Sequence, residues 1–527
     1  MSYTSGHYQQ VDSLSAPPPE YASVLNDGDE EALMSVPVHS AADRFNFGAP
    51  QTSQSSSSSS SHASAHSSSS ISSTSASAEK PRYRDMPFAV MFVGHLLLLA
   101  VACYIYGRRF AYEGGFSTPY SAEGSFAPSA RFILTQLLVS AVTGAVAAFF
   151  WIELIKAFPT GIMHISLGCF LASLLAFAVY SLIFTAISWV HAVVLTAATI
   201  ITVIYFYANR SRFPLAIAML HASAQALSAN SGPVFTALVL AAAQVLWALV
   251  WGVSAVFILS AHGVLTVGGV DPDLHPASAH AVTVVFALLL SFFWTWQVVM
   301  NVGHTTTAGA VAAWWLLPGY SRDSTTLASL RRALTTSFGS VCLGSLVVAV
   351  VSALRSTVRF FVKEDETSFA QFCLNCLLVC IERALEYFNH YAFTFVAVYG
   401  DSFIEAGAHT SQLFERRGFT LMINDDISSL PLQLGTAVCG IVTALVAASL
   451  ALLQGAHGGA VAGAAVLALL LGSAVAAVVL EVVRSALSCT FVLWAELPAE
   501  MAEVQPEAFR AIANAQKAVY GGESSSG

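Results

Sequence analysis

Two patterns divide the chain. From Met1 to about Ala78 no apolar period is present, and serine fills the runs Ser55–Ser61 and Ser67–Ser70. A segment of this kind buries too little surface to offset chain entropy, so residues 1–80 read as a disordered tail. Beyond it, long apolar stretches recur. A membrane-spanning helix needs about 20 such residues, and that ruler picks out ten stretches: 86–106, 132–155, 162–184, 186–207, 234–260, 281–303, 334–354, 368–384, 431–454 and 459–480. The fold class that follows is all-α. It is a polytopic membrane helix bundle with about ten transmembrane helices over residues 81–500, a disordered N-terminal tail, and a C-terminal tail over 501–527. The tail lacks the charged, apolar and small-residue succession of a cleaved signal, so the first membrane helix is expected to act as the signal. Between Pro214 and Ser228, Leu215, Ile217, Ala218 and Leu220 with His221 and Gln225 predict a short amphipathic helix at the inner interface.

Composition agrees with the pattern and adds exclusions. Hydrophobic residues make up 56% of the 527 and charged residues 10%, with a mean hydropathy of +0.66. Roughly a quarter of a soluble domain is charged, so the lipid bilayer is the main solvent and partner. A net charge of -9 leaves no basic excess to meet phosphate, which excludes a nucleic-acid binder. The eight cysteines all lie inside apolar stretches, which excludes a disulfide scaffold. The acidity is uneven, because residues 1–80 hold eight acids against two bases and the rest of the chain 23 against 20. With the tail inside, twelve Lys and Arg fall on the inner side and six on the outer, so both termini are expected in the cytoplasm. The charged segment Arg355–Glu366 would then lie outside, which leaves the register of the seventh and eighth helices open.

Polar groups inside spans are functional candidates, since each is costly in hydrocarbon unless paired or wet. The first group is Trp294, Trp296, Gln297 and Asn301, followed by His304. Phe293, Gln297 and Asn301 share a helical face, and aromatic faces beside neutral amides suit an organic cation held by ring quadrupoles. The tryptophans also read as an interfacial aromatic belt. The second group is Glu382, Glu386 and His390, an i, i+4, i+8 stripe beside Tyr391. It reads either as a gating or proton-coupling stripe or as a satisfied polar face under the bundle. As a metal site it is incomplete and lacks the His-Glu-x-x-His spacing, so no metal and no other cofactor is expected. Glu153 with Lys156, and Glu481 with Arg484, stand three apart and can pair. In the tail, Pro17-Pro18-Pro19-Glu20-Tyr21 contains a Pro-Pro-x-Tyr segment, either a chance match or a dock for the WW domain of a ubiquitin ligase through Pro18, Pro19 and Tyr21. No phosphate loop, nucleophile elbow or acid–base–nucleophile set is present, so the chain does not read as an enzyme.

An ordered succession of motifs carries a resemblance. Phe293-Trp-Thr-Trp-Gln297 is followed by Thr306-Thr-Ala-Gly-Ala-Val-Ala-Ala-Trp-Trp315 and Ser337-Phe-Gly-Ser-Val-Cys-Leu-Gly-Ser-Leu346. Glu386-Tyr-Phe-Asn-His-Tyr-Ala392 and Ala397-Val-Tyr-Gly400 come next, and the set resembles the choline transporter-like family, its fungal branch in particular. The resemblance runs from about Pro81 to Glu500. It implies ten membrane helices, a cytoplasmic N-terminus, a plasma-membrane location and uptake of choline or ethanolamine by family members. The first outer loop is short and has no cysteine, unlike the long cysteine-bearing loop of animal relatives.

The expectation is therefore a plasma-membrane carrier of a small polar solute, with choline or a related organic cation as the class its aromatic faces suit. Trp294, Gln297, Asn301 and Tyr391 are expected along the path, with Glu386 and His390 in gating or proton coupling. The alternative is a non-transporting membrane scaffold or regulator that recruits partners through its tail.

Overall fold

The computed structural model describes residues 83–112, 130–183, 189–264, 279–318, 322–361 and 369–521. The tail, with Pro18, Pro19 and Tyr21, lies outside them. The described residues are all-α. In chain order the helices are α1 (Met86–Tyr112), α2 (Ala130–Ala157), α3 (Pro159–Ile183), α4 (Trp189–Ala208), α5 (Phe213–Ala229), α6 (Gly232–Ala261) and α7 (Ala279–Leu316). They continue as α8 (Arg322–Leu334), α9 (Phe338–Phe361), α10 (Phe369–Tyr399), α11 (Phe403–Leu453), α12 (Gly459–Glu496), α13 (Pro498–Val504) and α14 (Pro506–Gly521). A single 3-10 turn, Arg210–Arg212, joins α4 to α5.

Each of the ten apolar stretches has most of its length on a helix among the described residues. Eight helices among the described residues are long and apolar enough to cross a membrane: α1, α2, α3, α6, α7, α9, the second part of α11 (Ile423–Leu453) and α12. Their outer faces carry bare hydrocarbon, such as Leu97, Leu98 and Val101 on α1 and Leu134, Leu138 and Val142 on α2. That exposure is what a lipid-facing surface needs, because lipid tails are as apolar as leucine.

Three helices run well past the stretch that hydropathy picks out. α7 and α12 each have 38 residues and α11 has 51, against about 20 for a span. In α7 and α12 the surplus is buried among other helices. Every residue of α7 from His304 to Leu316 is buried, and so are Ser485–Trp494 of α12. These extensions, with α5, α13 and α14, make a polar-lined core at one end of the bundle. α5 was expected on the membrane surface. It is instead packed on α12, α11 and α14, with Leu215, Met219, Leu220, Ser223 and Leu227 buried. Only Pro214, His221, Gln225 and Ser228 of its residues are exposed. The C-terminal segment is helical to Gly521, with Phe509 and Ile512 of α14 buried against neighbouring helices.

α10 is the central element. It touches α7, α9, α11 and α12, and so positions the residues of the second sequence group. α11 begins at Ser402, whose hydroxyl accepts from the Glu405 backbone N–H while the Glu405 carboxylate accepts from the Ser402 N–H, a reciprocal capping box. It continues through Pro431, whose carbonyl accepts from Trp151 Nε1 of α2 at 3.0 Å. The α11–α12 hairpin turns at Gly455 and Gly458, both at positive φ, a conformation that glycine adopts without cost. α2 seats against this hairpin where Gly144 meets Gly472: a Cβ on Gly144 would lie 3.0 Å from the Gly472 Cα.

Candidate functional site

A cavity of about 830 Å³ opens between α10, α11 and α12. Its wall carries four carboxylates, Glu386, Asp425, Asp426 and Glu481, against two guanidinium groups, Arg383 and Arg484. Aromatic rings complete it. Tyr387 and Phe414 stack at 5.4 Å and 24°, and Tyr391 packs edge-on to both behind the cavity wall. Fully ionised, this wall has two negative charges in excess beside π faces, and both features attract a cation. Asp426 also accepts from the Tyr205 hydroxyl of α4 at 3.0 Å, and Arg484 interacts electrostatically with Glu481, Asp425 and Glu386.

The Glu382, Glu386, His390 stripe divides among three surroundings. Glu382 is buried and faces α9, where Arg355 Nε lies 2.8 Å from its Oε2 and the Ser352 hydroxyl donates to its Oε1. This ion pair absorbs the charge of Arg355, the residue that made the outer segment awkward. Glu386 faces the cavity. His390 is 7% exposed and turns its Nδ1 toward Glu481 Oε1, 3.4 Å away. Glu481 thus faces two histidines, since His304 Nδ1 lies 3.8 Å from the same oxygen. Around His304 the polar core is dense: Ser485 Oγ lies 2.9 Å from its Nδ1 and Thr394 Oγ1 3.1 Å from its Nε2. Glu153 and Lys156 pair as expected, at 2.7 Å.

The first sequence group lies elsewhere. Trp294 is 4% exposed, donates from Nε1 to the Cys342 carbonyl at 3.0 Å, stacks on His95 at 4.6 Å and meets Phe92 edge-on. It joins α1, α7 and α9. Asn301 donates to the Ser345 hydroxyl of α9 at 2.9 Å, and Gln297, one turn before it, is half-buried. None of the three lines the cavity, whereas Glu386 does and Tyr391 backs it. Because Trp294 is a packed indole with its N–H satisfied, Trp294→Ala should destabilise the protein by about 3–5 kcal/mol. Thermal unfolding of the purified variant measures this, and an unchanged Tm would remove Trp294 from the core.

Asp425, Asp426 and Phe414, which the sequence left unassigned, are prominent here, as is Arg484, read there only as a partner of Glu481. Asp425 and Asp426 stand just before the apolar stretch 431–454, outside the window that hydropathy picks out. An acidic pair running without a break into an apolar run was the available signal.

Residues 193–498 match the family described as plasma-membrane choline transporter. A CTL-like protein of Dictyostelium discoideum is 25% identical over 441 residues, covering 82% of this chain and 75% of the relative. The PNS1 protein of Saccharomyces cerevisiae is 26% identical over 392 residues, covering 69% of this chain and 70% of its own. The PNS1 protein of Mycosarcoma maydis is 25% identical over 388 residues, covering 70% of each. The family match spans more than half of the chain and includes the helices that build the cavity, α10 to α12. The chain therefore belongs to the choline transporter-like family of multi-pass membrane transporters.

Proposed function

We propose that the chain is a plasma-membrane carrier of a small organic cation, of the choline or ethanolamine kind, with both termini in the cytoplasm. The observation that supports this most is the cavity between α10, α11 and α12, where four carboxylates stand against two guanidiniums beside Tyr387 and Phe414. A quaternary or primary ammonium is held there by charge and by ring quadrupoles. At about 830 Å³ the cavity is within the size range of small-molecule sites, roughly 300–1,000 Å³.

In this reading Glu386 is the gating or proton-coupling carboxylate, since it reaches the cavity directly, and Tyr391 backs the aromatic wall. His390 gates from behind, through Glu481. Gln297 and Asn301 extend the path along α7 toward the opposite face, with Trp294 holding α7 against α9. The segment Pro18-Pro19-x-Tyr21 serves in turnover, by docking the WW domain of a ubiquitin ligase.

Uptake of a labelled amine panel, choline and ethanolamine included, into liposomes holding the purified protein tests this. Saturable uptake of at least one amine, changed by an imposed pH gradient if Glu386 exchanges a proton, is expected. No saturable uptake of any amine would leave the scaffold reading. Deleting residues 1–80 separates the two in cells: a carrier keeps its transport rate and changes its turnover, while a scaffold loses its phenotype.

A further inference from the structure

We propose that His304, His390 and Glu481 bind one divalent transition-metal ion of the zinc class, directly behind the cavity wall. The ligands come from three helices, α7, α10 and α12, far apart in sequence. One donor atom from each lies within 4.8 Å of the others. Glu481 Oε1 is 3.4 Å from His390 Nδ1 and 3.8 Å from His304 Nδ1. A tetrahedral ion with bonds of about 2.0–2.2 Å holds its ligand atoms roughly 3.3–3.6 Å apart. The two separations to the Glu481 oxygen are therefore near coordination spacing already.

The surroundings orient the ligands as metal sites require. Thr394 Oγ1 donates its hydrogen to the His390 carbonyl at 3.1 Å, so it can accept from His304 Nε2, 3.1 Å away. With the imidazole hydrogen on Nε2, where Thr394 can accept it, the Nδ1 lone pair faces Glu481. Ser485 Oγ donates to the Glu481 carbonyl at 2.8 Å and lies 2.9 Å from His304 Nδ1, so its own lone pair faces the same point. It is the natural fourth donor, alone or through water. His390 Nε2 is buried with no hydrogen-bond partner, and Glu481 lies on the Nδ1 side. Two imidazoles and a carboxylate suit zinc-class ions, whereas calcium and magnesium take oxygen donors.

The site is enclosed but reachable. His304 and His390 are 1% and 7% exposed, while Glu481 is part of the cavity wall and provides the way in. Arg484 is the opposing cation, one turn along α12, and its charge is shared with Asp425 and Glu386 as well as Glu481. A bound ion would tie α7, α10 and α12 together and hold Glu481 away from the solute. Local spacing alone gave no hint of this, because only His390 belongs to the stripe that was weighed as a metal site. The inference rests on these distances and not on the transport reading.

The test uses the full-length protein, purified, treated with a chelator and titrated with cobalt(II). One ion per chain is expected, with the visible absorption of four-coordinate cobalt, displacement by zinc, and a zinc-induced rise in Tm that the chelator reverses. His304→Gln and His390→Gln should each abolish the cobalt band. Thr394→Val, which keeps all three ligands, should weaken binding roughly 10–100-fold. A wild-type protein with no cobalt band and no zinc-dependent rise in Tm overturns the proposal. So does a band that persists unchanged in His390→Gln or, should that variant not fold, in Thr394→Val. The readout is binding, so a protein that binds zinc but transports no amine would refute the transport reading alone.

Discussion

Asp425→Asn is expected to raise the KM for a cationic solute roughly a hundredfold while leaving the protein folded and at the membrane. A unit charge about 5 Å away, at an effective dielectric of about 20, contributes roughly 3 kcal/mol. Every step of about 1.4 kcal/mol is tenfold in affinity. Asp425 is buried among cavity groups and offsets Arg484, which lines the same wall. Its neutralisation therefore removes one attraction and leaves one repulsion less compensated. For that reason the double variant Asp425→Asn/Arg484→Gln should recover part of the lost affinity, a non-additivity expected only of residues that share a site. Uptake kinetics in liposomes measure all three proteins. A KM that does not change in Asp425→Asn would place the solute elsewhere.

Gly339→Ala is expected to cost about 3 kcal/mol of stability, at the upper end for overpacking. A Cβ on Gly339 would lie 2.3 Å from the carbonyl oxygens of both Arg84 and Asp85. These are backbone atoms of the segment that leads into α1, and that segment is held firmly. The Arg84 N–H donates to the Thr336 carbonyl at 3.0 Å. The Asp85 carboxylate accepts from the Ser340 hydroxyl at 2.7 Å and from the Phe403 N–H at 2.9 Å, at the first turn of α11. Asp85 itself adopts φ 50°, already a strained backbone for a residue with a side chain. Little can move, so a methyl group at Gly339 must push α1 off α9. A lowered Tm and a reduced yield of monodisperse protein are the expected result, and a Tm equal to wild type would show that the α1–α9 junction gives way easily.

The helices were legible in the sequence because hydrocarbon thickness imposes a length that a run of apolar residues must meet. The ends of α10 and α11 were not. Glu382 looked like the end of a span, yet its charge is met by Arg355 of α9, and the helix runs on to Tyr399. Pro431 looked like the start of one. In a bundle, neighbours meet the polar groups around a proline, as Trp151 does for the Pro431 carbonyl. The candidate site was half legible for the same reason. Glu386, His390 and Tyr391 share α10 and a local period reveals them. Glu481, Arg484 and Asp425 come from other helices, and only the packing of α10 against α11 and α12 brings them into one cavity. Glu481 acts on Arg484 as local spacing leads one to expect, and its carboxylate also lies against His304 and His390, which local spacing does not reveal.

The central claim is that the cavity between α10, α11 and α12 selects its solute by positive charge. Equilibrium binding of labelled choline to the purified protein, competed by its neutral carbon isostere with a quaternary carbon in place of nitrogen, tests this most directly. The two compounds have the same shape and differ only in charge. The account predicts saturable choline binding that the isostere displaces at least a hundredfold more weakly than unlabelled choline, by the roughly 3 kcal/mol of a single carboxylate. Equal displacement by the two, or no saturable binding of choline, would contradict it.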